Sequence, residues 1–213
     1  MVESIISLRD LKGKTPFLGV TGGIGSGKSS VAEMLSKSGA WIVDTDLIAH
    51  QITSPNGIAI EAISKTFGNE FINPDKSLNR IKMRELVFKD SLAKRRLEAI
   101  THPLIREKTI EEAQKGLLSK APYLVFVVPL LIESGTWAEY LDHIAVVDCD
   151  EELQIKRVME RSKLNREDVI SIMANQANRR DRLKIADTVI NNSGDLADLE
   201  QQVKKLHQKM LDL

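Results

Sequence analysis

Phe17-Leu18-Gly19-Val20-Thr21-Gly22-Gly23-Ile24-Gly25-Ser26-Gly27-Lys28-Ser29-Ser30 is the stretch that decides the fold. Phe17–Val20 is a short apolar run ending in glycines, the pattern of a buried strand. Lys28–Ser38 follows, with Val31, Met34 and Leu35 at helical spacing and Gly39 as a stop. Between strand and helix, Gly22–Ser29 satisfies G-x-x-x-x-G-K-[ST]. The spacing has a geometric reason. Glycines let the backbone wrap a phosphate chain with its N–H groups turned inward. The helix that opens at Lys28 points its positive dipole end at the same phosphates. Lys28 then reaches the β- and γ-phosphates, and the Ser29 hydroxyl ligates Mg²⁺. The residues expected on the triphosphate are Gly23, Gly25, Ser26, Gly27, Lys28, Ser29 and Ser30. Such a loop binds a nucleoside triphosphate, and alone it leaves open what the phosphate is transferred to.

Outward from the loop, further apolar runs mark further strands. Trp41-Ile42-Val43 ends at Asp44, Tyr123–Val128 is stopped by Pro129, Ile144–Val147 ends at Asp148, and Thr188-Val189-Ile190 ends at Asn191. Continuously apolar strands are covered on both faces. Helices between them make crossovers, so a mostly parallel sheet is expected. The expected class is α/β: a three-layer α/β/α fold of the P-loop NTPase type on a five-stranded sheet. Ligands of such sheets bind beyond the carboxyl ends of the strands. Those ends carry Gly22, Asp44, Pro129, Asp148 and Asn191.

The chain from Ile58 to Lys120 is helical in pattern. Ile58–Phe67, Arg80–Phe88, Ser91–Ile100 and Leu104–Leu118 carry apolar residues at 3–4 spacing, interrupted by Gly68, Asn73-Pro74 and His102-Pro103. A helical lobe inserted between the second and third strands is expected. Farther on, Arg157, Arg161, Lys163 and Arg166 surround a helix end near Asn165. Such a run is ordinarily a solvated face. Beside a phosphate loop it is also what an arginine-bearing lid needs in order to close over the triphosphate and exclude water. The expected organisation is an N-terminal extension over 1–16 and a single domain over 17–213. Within it the core is about 17–57 and 121–213, the helical substrate lobe about 58–120 and the lid about 157–182.

Composition narrows the function. With 213 residues and 42% apolar content the chain can build a real core. Lys+Arg and Asp+Glu are 30 each and only 4% is aromatic, which argues against a nucleic-acid binder. No run approaches the ~18 apolar residues of a membrane span, and Met1–Thr15 lacks the apolar stretch of a secretory signal. The single cysteine, Cys149, forms no internal disulfide and reads as a small strand-end filler in a reducing compartment. A cytoplasmic monomer or weak homo-oligomer, with no nucleic-acid or membrane partner, is expected.

Two carboxylate positions bear on the chemistry. Asp44-Thr45-Asp46 follows the second strand. Asp46 there has two readings, acceptor of the attacking hydroxyl's proton or cap of a helix Leu47–Ile52, and the residues alone do not separate them. Asp148 stands where a mechanical ATPase holds its metal, yet with Asp150 it more economically caps the helix starting at Glu151. A guanine-nucleotide switch needs D-x-x-G and N-K-x-D after the loop. Neither occurs downstream of Lys28, and Asp10-Leu11-Lys12-Gly13 precedes it.

From Phe17 to Gly194 the chain resembles the dephospho-CoA kinase family. The narrow form Thr21-Gly22-Gly23-Ile24-Gly25-Ser26-Gly27-Lys28-Ser29 comes first, then Val43-Asp44-Thr45-Asp46. Leu97-Glu98-Ala99-Ile100-Thr101-His102-Pro103-Leu104-Ile105 and Val128-Pro129-Leu130-Leu131-Ile132-Glu133 follow. Arg161, the Gln176, Arg179, Arg182 run, and Ala186-Asp187 with Ile190-Asn191-Asn192-Ser193-Gly194 complete the series. The resemblance implies that ATP phosphorylates the ribose 3′-hydroxyl of dephospho-CoA, the last step of coenzyme A synthesis. It implies Asp46 as general base, Lys28 and Arg161 stabilising the transferring phosphoryl group, and His102 and Arg106 toward the acceptor. Many members of the family carry Asp where this chain has Val127. The metal shell then rests on Ser29, phosphate oxygens, water and Asp46. Other P-loop kinases, of the nucleoside monophosphate or shikimate type, are the alternative. A regulatory protein that has lost transfer is the alternative from another class, and the presence of both Lys28 and Asp46 argues against it.

Overall fold

In the computed structural model, which describes residues 7–213, each of the five apolar runs is a strand. After α1 (Leu8–Leu11) the chain forms β1 (Phe17–Thr21), α2 (Lys28–Lys37), β2 (Trp41–Asp44), α3 (Thr45–Ile52), α4 (Ile60–Phe67), α5 (Arg80–Lys89) and α6 (Ser91–Leu118). It continues with β3 (Leu124–Val127), α7 (Leu131–Ser134), β4 (His143–Asp148), α8 (Glu151–Ser162), α9 (Arg166–Ala174), α10 (Arg179–Lys184), β5 (Thr188–Asn191) and α11 (Leu196–Leu211). The strands lie in the order β2-β3-β1-β4-β5, and every pairing is parallel. The expected parallel α/β architecture is the observed one.

Two compact units divide the chain. One takes the chain up to Asp44 together with Ala113–Leu213, and holds the sheet; the other is Thr45–Glu112. In the first, β1 is buried along its whole length, as a central parallel strand must be. Alternate side chains serve opposite faces. Leu18 and Val20 of β1, Val125 and Val127 of β3, and Ala145 and Val147 of β4 pack with Val31 and Leu35 of α2 and with Leu199, Val203 and Leu206 of α11. On the other face Phe17 and Phe126 stack with ring centroids 5.0 Å apart, and Trp137 lies 5.5 Å from Phe126. Val127 is therefore core, and its apolar side chain supports the sheet. The described part of the N-terminal extension is packed as well, with Leu8 and Leu11 buried.

In the second unit the expected interruption at His102-Pro103 is absent. Ser91–Leu118 is one helix with Pro103 inside it, so His102 is a mid-helix residue and not a helix end. Proline removes one N–H, the one that would bond the Ala99 carbonyl. Ala99 and Pro103 are both exposed, so the lost bond lies on a solvent-facing part of the helix. The helix after β2 also starts earlier than expected. It opens at Thr45, which places Asp46 inside its first turn and not at its N-cap.

Candidate active site

The loop between β1 and α2 is shaped by its glycines and clamped by one amide. Gly27, the N-cap of α2, has φ 100°, in the left-handed region that glycine enters without strain. A Cβ at Gly27 would also collide with Nδ2 of Asn192. Asn192, buried just past β5, donates that Nδ2–H to the Ser26 carbonyl at 2.7 Å. Ser26 is itself fully buried, and its N–H closes a turn on the Gly23 carbonyl at 3.2 Å. Lys28 donates from Nζ to the carbonyls of Gly22 and Gly23 at 2.8 and 3.0 Å. The ammonium thus lies over the loop, while Ser29 and Ser30 are exposed in the first turn of α2.

Around the loop stand groups from α8, α10 and the end of β4. Asp148 does not cap α8. Its carboxylate accepts from Nε of Arg179 at 3.0 and 3.1 Å and from Nη2 at 2.7 Å. The paired carboxylate holds the Arg179 guanidinium above its ordinary pKa. Asp150 occupies the N-cap position of α8 without a side-chain cap bond. A free Asp148 was legible as a strand-end carboxylate, but its partner lies 31 residues away, beyond the reach of local pattern. Gln154, unremarked in the sequence, is buried; its Nε2 donates to the Cys149 carbonyl at 2.9 Å, and its Oε1 has no partner among the described residues. The available signal was one amide in the apolar stripe of α8. Cys149 is buried, as expected of a filler, and burial raises its thiol pKa.

The four basic residues of the expected lid have separate fates. Arg157 turns inward and donates Nη2–H to the Asn192 carbonyl at 3.0 Å. Arg166 is paired with Glu152 at 2.6 Å. Arg161, in the last turn of α8, and Lys163 are exposed. Asn165 caps α9 by accepting from the Asp168 N–H at 2.8 Å. A cavity of about 440 Å³ opens beside this segment, lined among others by Gln154, Gln176, Arg179 and Arg182.

In the Thr45–Glu112 unit, Asp46 is exposed on α3, two residues along the chain from Asp44 at the end of β2. Arg80 donates to Oγ1 of Thr53 at 2.6 Å. His102 and Arg106 are both exposed and one helical turn apart on α6, so they share a face.

For a divalent ion the donor chemistry fits. Among the described residues no three His, Cys, Asp or Glu side chains form a metal cluster. Mg²⁺ in phosphoryl-transfer sites asks for less: one or two hard oxygen ligands from the protein, with phosphates and water completing the shell. The exposed Ser29 hydroxyl at the head of α2 is such a donor. No helix among the described residues is long and apolar enough to cross a membrane.

A family model described as dephospho-CoA kinase matches residues 16–198. A dephospho-CoA kinase of Burkholderia pseudomallei is 54% identical over 196 residues, covering 92% of this chain and 95% of that protein. One from Cupriavidus pinatubonensis is 50% identical over 190 residues, covering 89% and 91%. Among solved structures, the dephospho-CoA kinase from Campylobacter jejuni superposes with a TM-score of 0.68 at 31% identity, over 92% of this chain and 97% of its own. Shikimate kinase from Acinetobacter baumannii shares the fold alone, with a TM-score of 0.50 at 17% identity over 96% and 98%.

Proposed function

The chain belongs to the dephospho-CoA kinase family, and from that premise we propose how its residues divide the reaction. ATP gives its γ-phosphate to the ribose 3′-hydroxyl of dephospho-CoA. The observation that carries this reading is the clamped glycine loop at the head of α2, with Lys28 folded over it. Gly23, Gly25, Ser26, Gly27, Lys28, Ser29 and Ser30 hold the triphosphate through backbone N–H groups, the helix dipole and the ammonium. Ser29 holds Mg²⁺, which when bound neutralises charge on the phosphate oxygens.

Asp46 takes the proton of the attacking hydroxyl. Asp46 lies in the first turn of α3, directly after β2. Lys28 and Arg161 stabilise the charge of the transferring phosphoryl group, and His102 and Arg106 hold the acceptor. The segment of about 157–182 acts as the lid and 58–120 as the acceptor lobe, on a core of 17–57 and 121–213. The enzyme works in the cytoplasm, as a monomer or weak homo-oligomer without nucleic-acid or membrane partners; the single reduced Cys149 supports the compartment.

The test is a coupled ADP-release assay with dephospho-CoA, adenosine monophosphate, shikimate or no acceptor. ADP release that depends on dephospho-CoA is expected. Turnover only with another acceptor, or release without any acceptor, would overturn the reading.

A further inference from the structure

The irregular segment between α9 and α10 makes polar contacts far out of proportion to its length. Gln176 Oε1 accepts the Ile24 N–H at 2.9 Å. The next residue, Ala177, donates its N–H to Glu133 Oε1 at 2.6 Å, and its carbonyl accepts from Nη1 of Arg182. Two residues on, Arg179 grips Asp148. Ile24 follows β1, Glu133 follows β3 and Asp148 ends β4, and these three strands are adjacent in the sheet. Three of four consecutive residues, Gln176, Ala177 and Arg179, are therefore tied to the carboxyl ends of three neighbouring strands.

The tie at Ile24 reaches into the phosphate loop itself. The Ile24 side chain packs against the small core of Ile155, Val158 and Val169, so this residue is held at both ends. Beside it a Cβ at Gly23 would collide with Oε1 of Gln154 and stand 3.1 Å from Nη2 of Arg182. The first half of the loop thus has a wall on one side. The Gln176 oxygen meets it with a directed bond to a backbone N–H. Gly22, Gly23 and Gly25 flank that N–H, and glycine backbones released from a hydrogen bond visit many conformations.

We propose that Gln176 is a positioning residue for the triphosphate: its side-chain oxygen fixes the Ile24 N–H and so holds the loop in the shape the nucleotide meets. This rests on the reading that the loop holds Mg·ATP. Without the oxygen a part-buried donor loses its acceptor. The binding-competent loop is then only a fraction of the population, and apparent affinity falls by that fraction. A loss of about tenfold corresponds to one such hydrogen bond.

Full-length Gln176→Leu and Gln176→Glu are compared with the unaltered chain. Amide exchange of Ile24 is followed by NMR without nucleotide, and Mg·ATP affinity by calorimetry. Gln176→Leu should speed Ile24 exchange at least about tenfold, leave the β-strand amides of Val20 and Val146 unchanged, and weaken Mg·ATP about tenfold. Its KM for dephospho-CoA should stay within about twofold of wild type, because a loop defect is specific to the nucleotide. Gln176→Glu keeps an acceptor oxygen at the same reach and should restore Ile24 protection. The proposal is overturned if Gln176→Leu keeps Ile24 protected, binds Mg·ATP like wild type or raises both substrate constants together. It is overturned equally if Gln176→Glu fails to restore protection. Wild type that shows no Mg·ATP binding would refute the loop reading, and the Ile24 exchange comparison would still decide on Gln176.

Discussion

Replacing Arg179 by methionine should destabilise the sheet-bearing unit, and removing the charge of Asp148 should then restore part of the loss. Three hydrogen bonds of 2.7–3.1 Å join the two side chains. Asp148 is only 10% exposed as a side chain, whereas Arg179 is 42% exposed. Breaking a fully buried pair costs about 3–5 kcal/mol, chiefly by stranding the remaining charge. Water reaches the Arg179 side, which screens the carboxylate, so about 2 kcal/mol is expected here. For a chain of this length that lowers the melting temperature by roughly 4–8 °C. Thermal denaturation followed by circular dichroism at neutral pH and low salt measures it. In the Arg179→Met background, Asp148→Asn abolishes the stranded charge, so the double variant should be more stable than Arg179→Met alone. A drop below about 1 °C, which corresponds to less than about 0.5 kcal/mol for a chain of this length, would refute the reasoning. So would single effects that add within about 0.5 kcal/mol, the behaviour of residues that do not interact.

Asp46→Asn should leave Mg·ATP affinity nearly intact and lower turnover by roughly 10²–10⁴-fold; wild-type turnover would remove Asp46 from the role of base. Lys28→Ala should weaken Mg·ATP binding and transfer together, read by calorimetry and steady-state kinetics, and an effect on one alone would contradict the double role. Stability should fall as pH drops through the region below about 6.5. Burial of His143, helped by Lys209 and opposed by Asp187, holds the folded-state pKa below the ordinary value, while the imidazole Nε2 shares a 2.8 Å bond with Thr188. The unfolded chain then binds the proton more readily, so acid favours unfolding in that window. His143→Gln should flatten the melting-temperature profile between pH 7.5 and 5.5, and an unchanged slope would remove His143 as the cause.

The sheet was legible because each of its strands is a continuous apolar run, a pattern set by burial on both faces and visible without any partner. The phosphate loop was legible because its demands are local: glycine where φ is positive at Gly27, lysine and serine where a helix begins. What local pattern could not carry were features decided by distant partners or by solvent. Pro103 reads as a break, yet α6 runs through it at an exposed position. Asp148 reads as a cap, yet Arg179, far along the chain, claims it. Gln154 is a polar residue among apolar ones whose burial against Gly23 depends on how α8 packs. Gln176 and Arg182 were marked by family resemblance, but only the folded chain shows that one holds the Ile24 N–H and the other the Ala177 carbonyl.

Titration calorimetry of the well-folded full chain with Mg·ATP tests the nucleotide grip most directly. Binding at one site per chain, with a dissociation constant between about 1 µM and 1 mM and clear weakening in Lys28→Ala, is the predicted result. No detectable association, or heat that Lys28→Ala leaves unchanged, would contradict a triphosphate held by the loop from Gly22 to Ser29.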